Sequence, residues 1–183
     1  MALKERTAIV VVSGVQGAGK TTVARLLAER FARGVHIEAD VLQRMIVSGG
    51  QWVSEVGDPA GEAARQLRLR LHNACLLARS FHDAGFTAVV DDIIIGERLG
   101  HLREDLAGLA FHLVVLAPDV ASVIARDAAR EKTVGEAWAH HLDAAQRESI
   151  AGIGMWVDST GQTAAQTVEE IMGRLWDEGL VES

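Results

Sequence analysis

Residues 14 to 22 read Gly14-Val15-Gln16-Gly17-Ala18-Gly19-Lys20-Thr21-Thr22 and satisfy the phosphate-binding pattern G-x-x-x-x-G-K-[ST] at every fixed position. This pattern turns backbone N–H groups inward on a triphosphate, extends a lysine to the β- and γ-phosphates and offers a hydroxyl to Mg2+. The glycines permit the loop, Lys20 supplies the charge and Thr21 the hydroxyl. A nucleoside triphosphate with Mg2+ is the ligand these residues predict.

Carboxylates form the second group. Asp40, Asp91, Asp92 and Asp158 each follow a short apolar run. Phosphoryl transfer requires an aligned acceptor oxygen, cations to meet the spreading negative charge, and a carboxylate to orient or deprotonate the incoming hydroxyl. Asp40 is the choice for that carboxylate. Its plain structural alternative is a helix N-cap before Val41. Arg44, one helical turn on, would hold a hydroxylated or anionic substrate or pair with Asp40. Asp91 and Asp92 end a Val-rich run in the manner of a metal-holding carboxylate, and side-chain alternation along a strand keeps the two from pointing the same way.

Basic and aromatic candidates complete the set. Arg126 and Arg130 lie four apart on a predicted helix, so they share a face and could clamp the triphosphate as lid arginines. The interleaved Asp127 and Glu131 fit a solvated charged face equally well. Trp52, in a glycine-rich stretch, either stacks on a ligand or plugs the core. Arg65, Arg68, Arg70 and His72 read mainly as the surface of a long helix, and His140-His141 lacks metal-ligand spacing. Ser48-Gly49-Gly50-Gln51 looks like a transporter-ATPase signature but comes too early in the chain. No lysine follows an asparagine, so the Asn-Lys-x-Asp pattern that reads guanine is missing.

The elements that must position these groups alternate strand and helix along the chain. Ala8 to Val12 reads as a buried strand before the phosphate loop, and Val23, Leu26, Leu27 and Phe31 give the following helix an apolar face. A second strand runs from Val35 to Ala39, a third from Phe86 to Val90, a fourth from Phe111 to Leu116 and a fifth from Met155 to Val157. Between them fall helices near 41–47, 62–84, 97–106 and 134–150, another opening at Pro118-Asp119, and a last one capped by Thr163 with Gln166. The stretch 48–61 reads as a substrate loop over the site, and 126–133 as a charged lid. Strand–helix alternation of this kind predicts a mainly parallel sheet with helices on both faces, whose ligands bind beyond the carboxyl ends of the strands.

Composition sets outer bounds. At 183 residues and 49% apolar content the chain matches one ordinary domain. A net charge of −7 argues against gripping nucleic acid. The lone Cys75 provides no intrachain disulfide or thiolate metal site and reads as core. No signal-peptide pattern or membrane-spanning run is present, which fits a cytoplasmic protein without a membrane partner.

Taken in order and spacing, the phosphate loop, Ile37-Glu38-Ala39-Asp40, Val89-Val90-Asp91-Asp92, Arg126-x-x-x-Arg130 and Val157-Asp158-Ser159-Thr160 resemble the chloramphenicol phosphotransferase-like small kinases. A more distant resemblance is to shikimate, gluconate and nucleoside-monophosphate kinases. It implies a three-layer P-loop NTPase fold with a five-stranded parallel sheet and a small helical lid, with ATP and Mg2+ as cofactors. It further implies Asp40 as base or orienting group, Arg126 and Arg130 as lid arginines, and a backbone adenine pocket near Ser159, Thr160 and Gly161. Two departures stand out: the lid continues Arg130-Glu131-Lys132 where a second Arg-Gly-Asp-Arg style basic residue belongs, and 48–61 has little in common with those kinases. The expected activity is transfer of the γ-phosphate of ATP to a hydroxyl of a small molecule such as an antibiotic, secondary metabolite, sugar acid or nucleoside. Rival readings are a nucleotide-sugar kinase and a nucleotide-gated ATPase module signalling to a protein partner.

Overall fold

A computed structural model describes residues 6–53, 61–128 and 136–182. Five strands, β1 (Ile9–Gly14), β2 (Gly34–Glu38), β3 (Thr87–Asp91), β4 (Phe111–Leu116) and β5 (Met155–Val157), form a parallel sheet in the order β2-β3-β1-β4-β5. A sixth strand, β6 (Leu180–Val181), pairs antiparallel with Phe111 and His112 of β4. It is an addition to the five strands expected, and at two residues it is too short to leave a periodic signal. Described helices are α1 (Lys20–Ala28), α2 (Ala39–Arg44), α3 (Gly61–Asp83), α4 (Arg98–Asp105), α5 (Val120–Ala128), α6 (Glu136–Ser149) and α7 (Ala164–Glu178). Among the described residues, no helix is long and apolar enough to cross a membrane.

The strands are continuously apolar because both faces of the sheet are covered. Along β1, Val10 and Val12 enter one core with α1 and α7, whereas Ile9 and Val11 enter the other with α3 and α4. The inner face of α7 is Val168, Ile171, Met172 and Leu175, at the spacing the sequence predicts, and its Thr163–Gln166 capping box forms. Cys75 is buried with Leu71, Ala74 and Ala78 in the second core.

Register then sets the rim. In the parallel pairing of β1 with β3, Val12 stands opposite Asp91, and in that of β2 with β3, Glu38 stands opposite Asp91. The phosphate loop after Gly14, Asp40 at the start of α2, and Asp91-Asp92 therefore leave the sheet at the same edge. Beyond Asp91 the chain turns away from the sheet: the Asp92 amide donates to the Val12 carbonyl at 3.3 Å and the Ile94 amide to the Ser13 hydroxyl at 3.0 Å.

Candidate active site

The phosphate loop is shaped from below. Val15 and Ala18 are buried under it, the Ala18 amide donates to the Val15 carbonyl at 3.1 Å, and Lys20 Nζ donates to the same carbonyl, also at 3.1 Å. A Cβ on Gly14 would come within 2.7 Å of the Leu116 carbonyl oxygen on β4, so only glycine lets the strands meet there. Gly19 caps α1 at a φ of 94° and makes no side-chain cap bond. The N–H groups of the first turn of α1 are consequently left to an anion.

Alternation along β3 separates the two aspartates. Val89 belongs to the α1 core and Val90 to the α3 core, so Asp91 emerges on the α1 side. Burial works against its charge, but the neighbouring His36 imidazole and Thr21 hydroxyl, with the positive charge of Lys20, outweigh it and hold the carboxyl below its ordinary range. Its Oδ1 has His36 Nε2 at 3.5 Å and no hydrogen bond. A buried, ionised carboxylate with an unsatisfied oxygen beside a threonine hydroxyl fits a hard cation such as Mg2+.

Asp92 faces the other way. It accepts from Arg70 and from the Ile93 amide on Oδ1, and from Arg98 on Oδ2. Both oxygens are thereby engaged in neutralising two buried guanidiniums, on the side of β3 opposite Asp91, and Asp92 also lines the large cavity described below. Burial pushes Arg98 below its ordinary value, the charge of Asp92 opposes that, and the like charge of Arg70 adds to it.

Arg70 also donates to Asp40 Oδ1 at 2.9 Å. Asp40 is the second residue of α2, and the N-cap position belongs to Glu38. The capping alternative for Asp40 is thus excluded by its place inside the first turn, and its half-exposed carboxylate stands in the cavity on the Arg70 guanidinium. Arg44 corrects an expectation. It donates to Glu38 at 2.9 Å, is exposed, and does not line the cavity, because the Glu38 carboxylate at the start of α2 takes its guanidinium.

These groups open on one cavity of about 750 Å3 whose lining includes Gln16, Gly17, Lys20, Thr21, Asp40 and Asp91. Trp52 stands at its rim, half exposed rather than plugged into the core. The chain before it is pinned by two buried amides. Gln66 donates to the Gly49 carbonyl at 2.8 Å and accepts from the Gln51 amide at 2.7 Å, and Gln43 donates to the Gln51 carbonyl at 3.0 Å. The remainder of the expected substrate loop, 54–60, lies outside the described residues.

A smaller cleft of about 180 Å3 opens on the opposite side of the loop and is lined by Ala18, Gly19, Thr22, Arg126, Ser159 and Gln162 among others. Arg126 spans it, donating to the Ser159 carbonyl at 3.0 Å and to the Ala18 carbonyl at 3.4 Å. Ser159 is buried and its hydroxyl has no hydrogen-bond partner. Thr160 and Gly161 do not line the cleft; they form the adjoining turn, where the Thr160 amide donates to Asp158 at 3.0 Å. Asp158 is spent on that turn and is exposed, away from the cavity. Arg130 lies outside the described residues, as does most of the expected lid.

Sequence reasoning missed four groups. His36 lies beneath Asp91, Arg70 and Arg98 hold Asp92, and α6 supplies a cavity wall through Trp138, His141 and Leu142. A signal existed for Arg70: Gln66, Arg70, Ala74 and Ala78 repeat every four residues, so the two polar side chains share the buried face of α3.

A glycine loop before α1, a lysine and threonine at its end and a strand-end carboxylate against that threonine define a P-loop nucleotide-binding domain. Residues 9–150 match the AAA domain family AAA_33, and the chain belongs to that family. No curated protein matches the chain in sequence. Among solved structures it is similar to a sugar kinase from Janibacter sp. HTCC2649, with 21% identity and a TM-score of 0.67 over 92% of this chain and 94% of that one. The tunicamycin resistance protein of Deinococcus radiodurans is similar at 22% identity and a TM-score of 0.65, over 97% of this chain and 100% of that one. A gluconokinase from Sinorhizobium meliloti 1021 is similar at 20% identity and 0.65, over 91% and 90%. The fold is the P-loop fold these proteins share.

Proposed function

We propose that the chain is an ATP-dependent kinase that transfers the γ-phosphate to a hydroxyl of a small molecule held in the large cavity. The observation that carries this reading is that Asp40, fixed by Arg70, opens on the same cavity as Lys20, Thr21 and Asp91. A hydrolytic switch has no need of a carboxylate aimed into an acceptor-sized space.

ATP would lay its phosphates along the N–H groups of the loop and of the first turn of α1, with the base in the cleft beside Ser159 and Arg126. Thr21 and Asp91 would hold Mg2+, which when bound neutralises charge on the β- and γ-phosphates. Asp40 accepts the proton of the acceptor hydroxyl as its oxygen bonds to the γ-phosphorus, the bond to the bridging β–γ oxygen breaks, and ADP leaves. Lys20 and Arg126 meet the charge that develops on the transferring group, and we assign Arg130 the same role. Arg70 keeps the Asp40 carboxylate in place through the transfer. His36 holds Asp91 from below.

The test is Mg-ATP turnover against a mixed panel of antibiotics, sugar acids, nucleosides and nucleotide sugars, with mass spectrometry identifying any phosphorylated compound. Asp40→Asn should lower kcat by about 10²- to 10⁴-fold with little change in ATP binding. Acceptor phosphorylation unchanged in that variant would refute the role of Asp40, and turnover stimulated only by a macromolecule would favour the signalling module.

A further inference from the structure

We propose that the outer face of α3 is the interface of a homodimer, in which two copies of this helix lie antiparallel across a two-fold axis. The other faces of α3 are covered. Leu71, Ala74, Cys75 and Ala78 enter the core. Gln66 and Arg70 bond Gln43 and Asp40 of α2 on one flank, and Arg68 and His72 bond Asp105 of α4 on the other. What remains is the stripe Arg65, Leu69, Asn73, Leu76, Ser80 and Asp83, whose spacings of three and four keep it on one line along the helix. Leu69 and Leu76 are 48% and 51% exposed, and Leu77 beside them is 39% exposed. Leucines gathered in water on one helix face mark a surface that associates.

Two features identify the occupant as a second copy. The first is charge. Arg65 stands towards the amino end of the stripe and Asp83 at its carboxyl end, both well exposed. Arg65 holds Glu62 through Nε and Nη2, leaving Nη1 without a bond among the described residues, and Asp83 has only its neighbour His82, at 3.7 Å. A parallel pair would set like charge against like at both ends. An antiparallel pair centred between Asn73 and Leu76 brings Arg65 of each copy to Asp83 of the other, so the stripe is complementary to itself. The second feature is register. Leu69 and Leu76 are seven apart, with Asn73 between them at the spacing of a heptad a position flanked by two d positions. In the antiparallel pair each Leu76 meets the Asn73 of the other copy and each Leu69 its Ser80. A single asparagine at such a position fixes register and restricts a helix pair to one arrangement. The interface would brace the helix whose flank fixes Asp40 through Arg70.

Sedimentation velocity of the full chain from about 1 to 100 μM reads the association, and a species of twice the chain mass is expected. Leu69→Lys and Leu76→Lys, both at exposed positions, should each raise the dissociation constant at least about tenfold, with circular dichroism confirming that the fold is kept. Arg65→Asp and Asp83→Arg should each weaken the dimer about tenfold, since two attractions become two repulsions. Combining the two reverses both charges and should recover most of the loss. A chain that stays monomeric at the highest concentration overturns the proposal. A dimer untouched by both leucine variants overturns its placement on α3, and failure of the charge swap to recover what the single variants lose overturns the antiparallel arrangement.

Discussion

Asp92 balances two guanidiniums, so the cost of removing its charge should exceed that of removing either arginine. The side chains of Asp92, Arg70 and Arg98 are 1%, 7% and 13% exposed. Breaking a buried ion pair typically costs about 3–5 kcal/mol because the survivor is left uncompensated. Arg98→Met leaves Arg70 with Asp92, a neutral pair that also keeps Asp40, which places it at the lower end, about 3 kcal/mol. Asp92→Asn keeps volume and the bond from the Ile93 amide but leaves two like charges, of which only Arg70 retains a carboxylate. That variant belongs at the upper end, about 5 kcal/mol. The difference of about 2 kcal/mol corresponds to a further fall in Tm of about 4–8 °C for a chain of this size. Urea unfolding of both variants, and of the double variant, measures it. The double variant should lose clearly less than the sum of the singles, since it removes both the charge and one of the cations that needed it. An Asp92→Asn protein as stable as Arg98→Met, or strict additivity in the double, would refute the charge-balance account.

Further outcomes follow from the other groups. Asp91→Asn should abolish the dependence of nucleotide binding on Mg2+ at millimolar concentrations, read by titrating ATP affinity with and without the metal. Arg126→Ala should raise the KM for ATP about tenfold, lower kcat and leave the KM for the acceptor near its original value, because Arg126 stands on the nucleotide's side of the phosphate loop and does not line the large cavity. Asp105 is buried, which opposes its charge, but Arg68 and His72 bond it from α3 and hold its pKa below the ordinary 3.8. Its contribution is therefore present above about pH 4 and lost as pH falls through the lowered value, so Asp105→Asn should cost about 1–2 kcal/mol at pH 7 and flatten the acid limb of the stability curve.

Wherever a residue's role follows from local pattern, it was legible before the fold was known. The phosphate loop, the alternating elements, the inner face of α7 and the burial of Cys75 all follow from periodicity or from glycine, and all are present. Pairings that depend on register across the sheet were not legible. Whether Asp91 or Asp92 meets the loop depends on which core Val89 enters, and Arg44 pairs with Glu38 because of where α2 begins. Arg70 read as surface because arginine on a long helix usually is, yet a carboxylate thirty residues earlier and another twenty-two later close on it. The wall formed by α6 carries ordinary core residue types, and only the path of the chain turns them towards a cavity.

The two clefts share a single lining residue, Gly19, and open on opposite sides of the phosphate loop. On the kinase reading proposed above, the base of the nucleotide would enter by the cleft beside Ser159 and the acceptor by the large cavity, and only the phosphates would reach the space between them. Neither ligand would then gate the other's doorway, so arrival would have no compulsory order and both would meet in one ternary complex. Spent nucleotide would likewise depart while the product is still seated, and the side of exit with the tighter grip would set the pace of turnover.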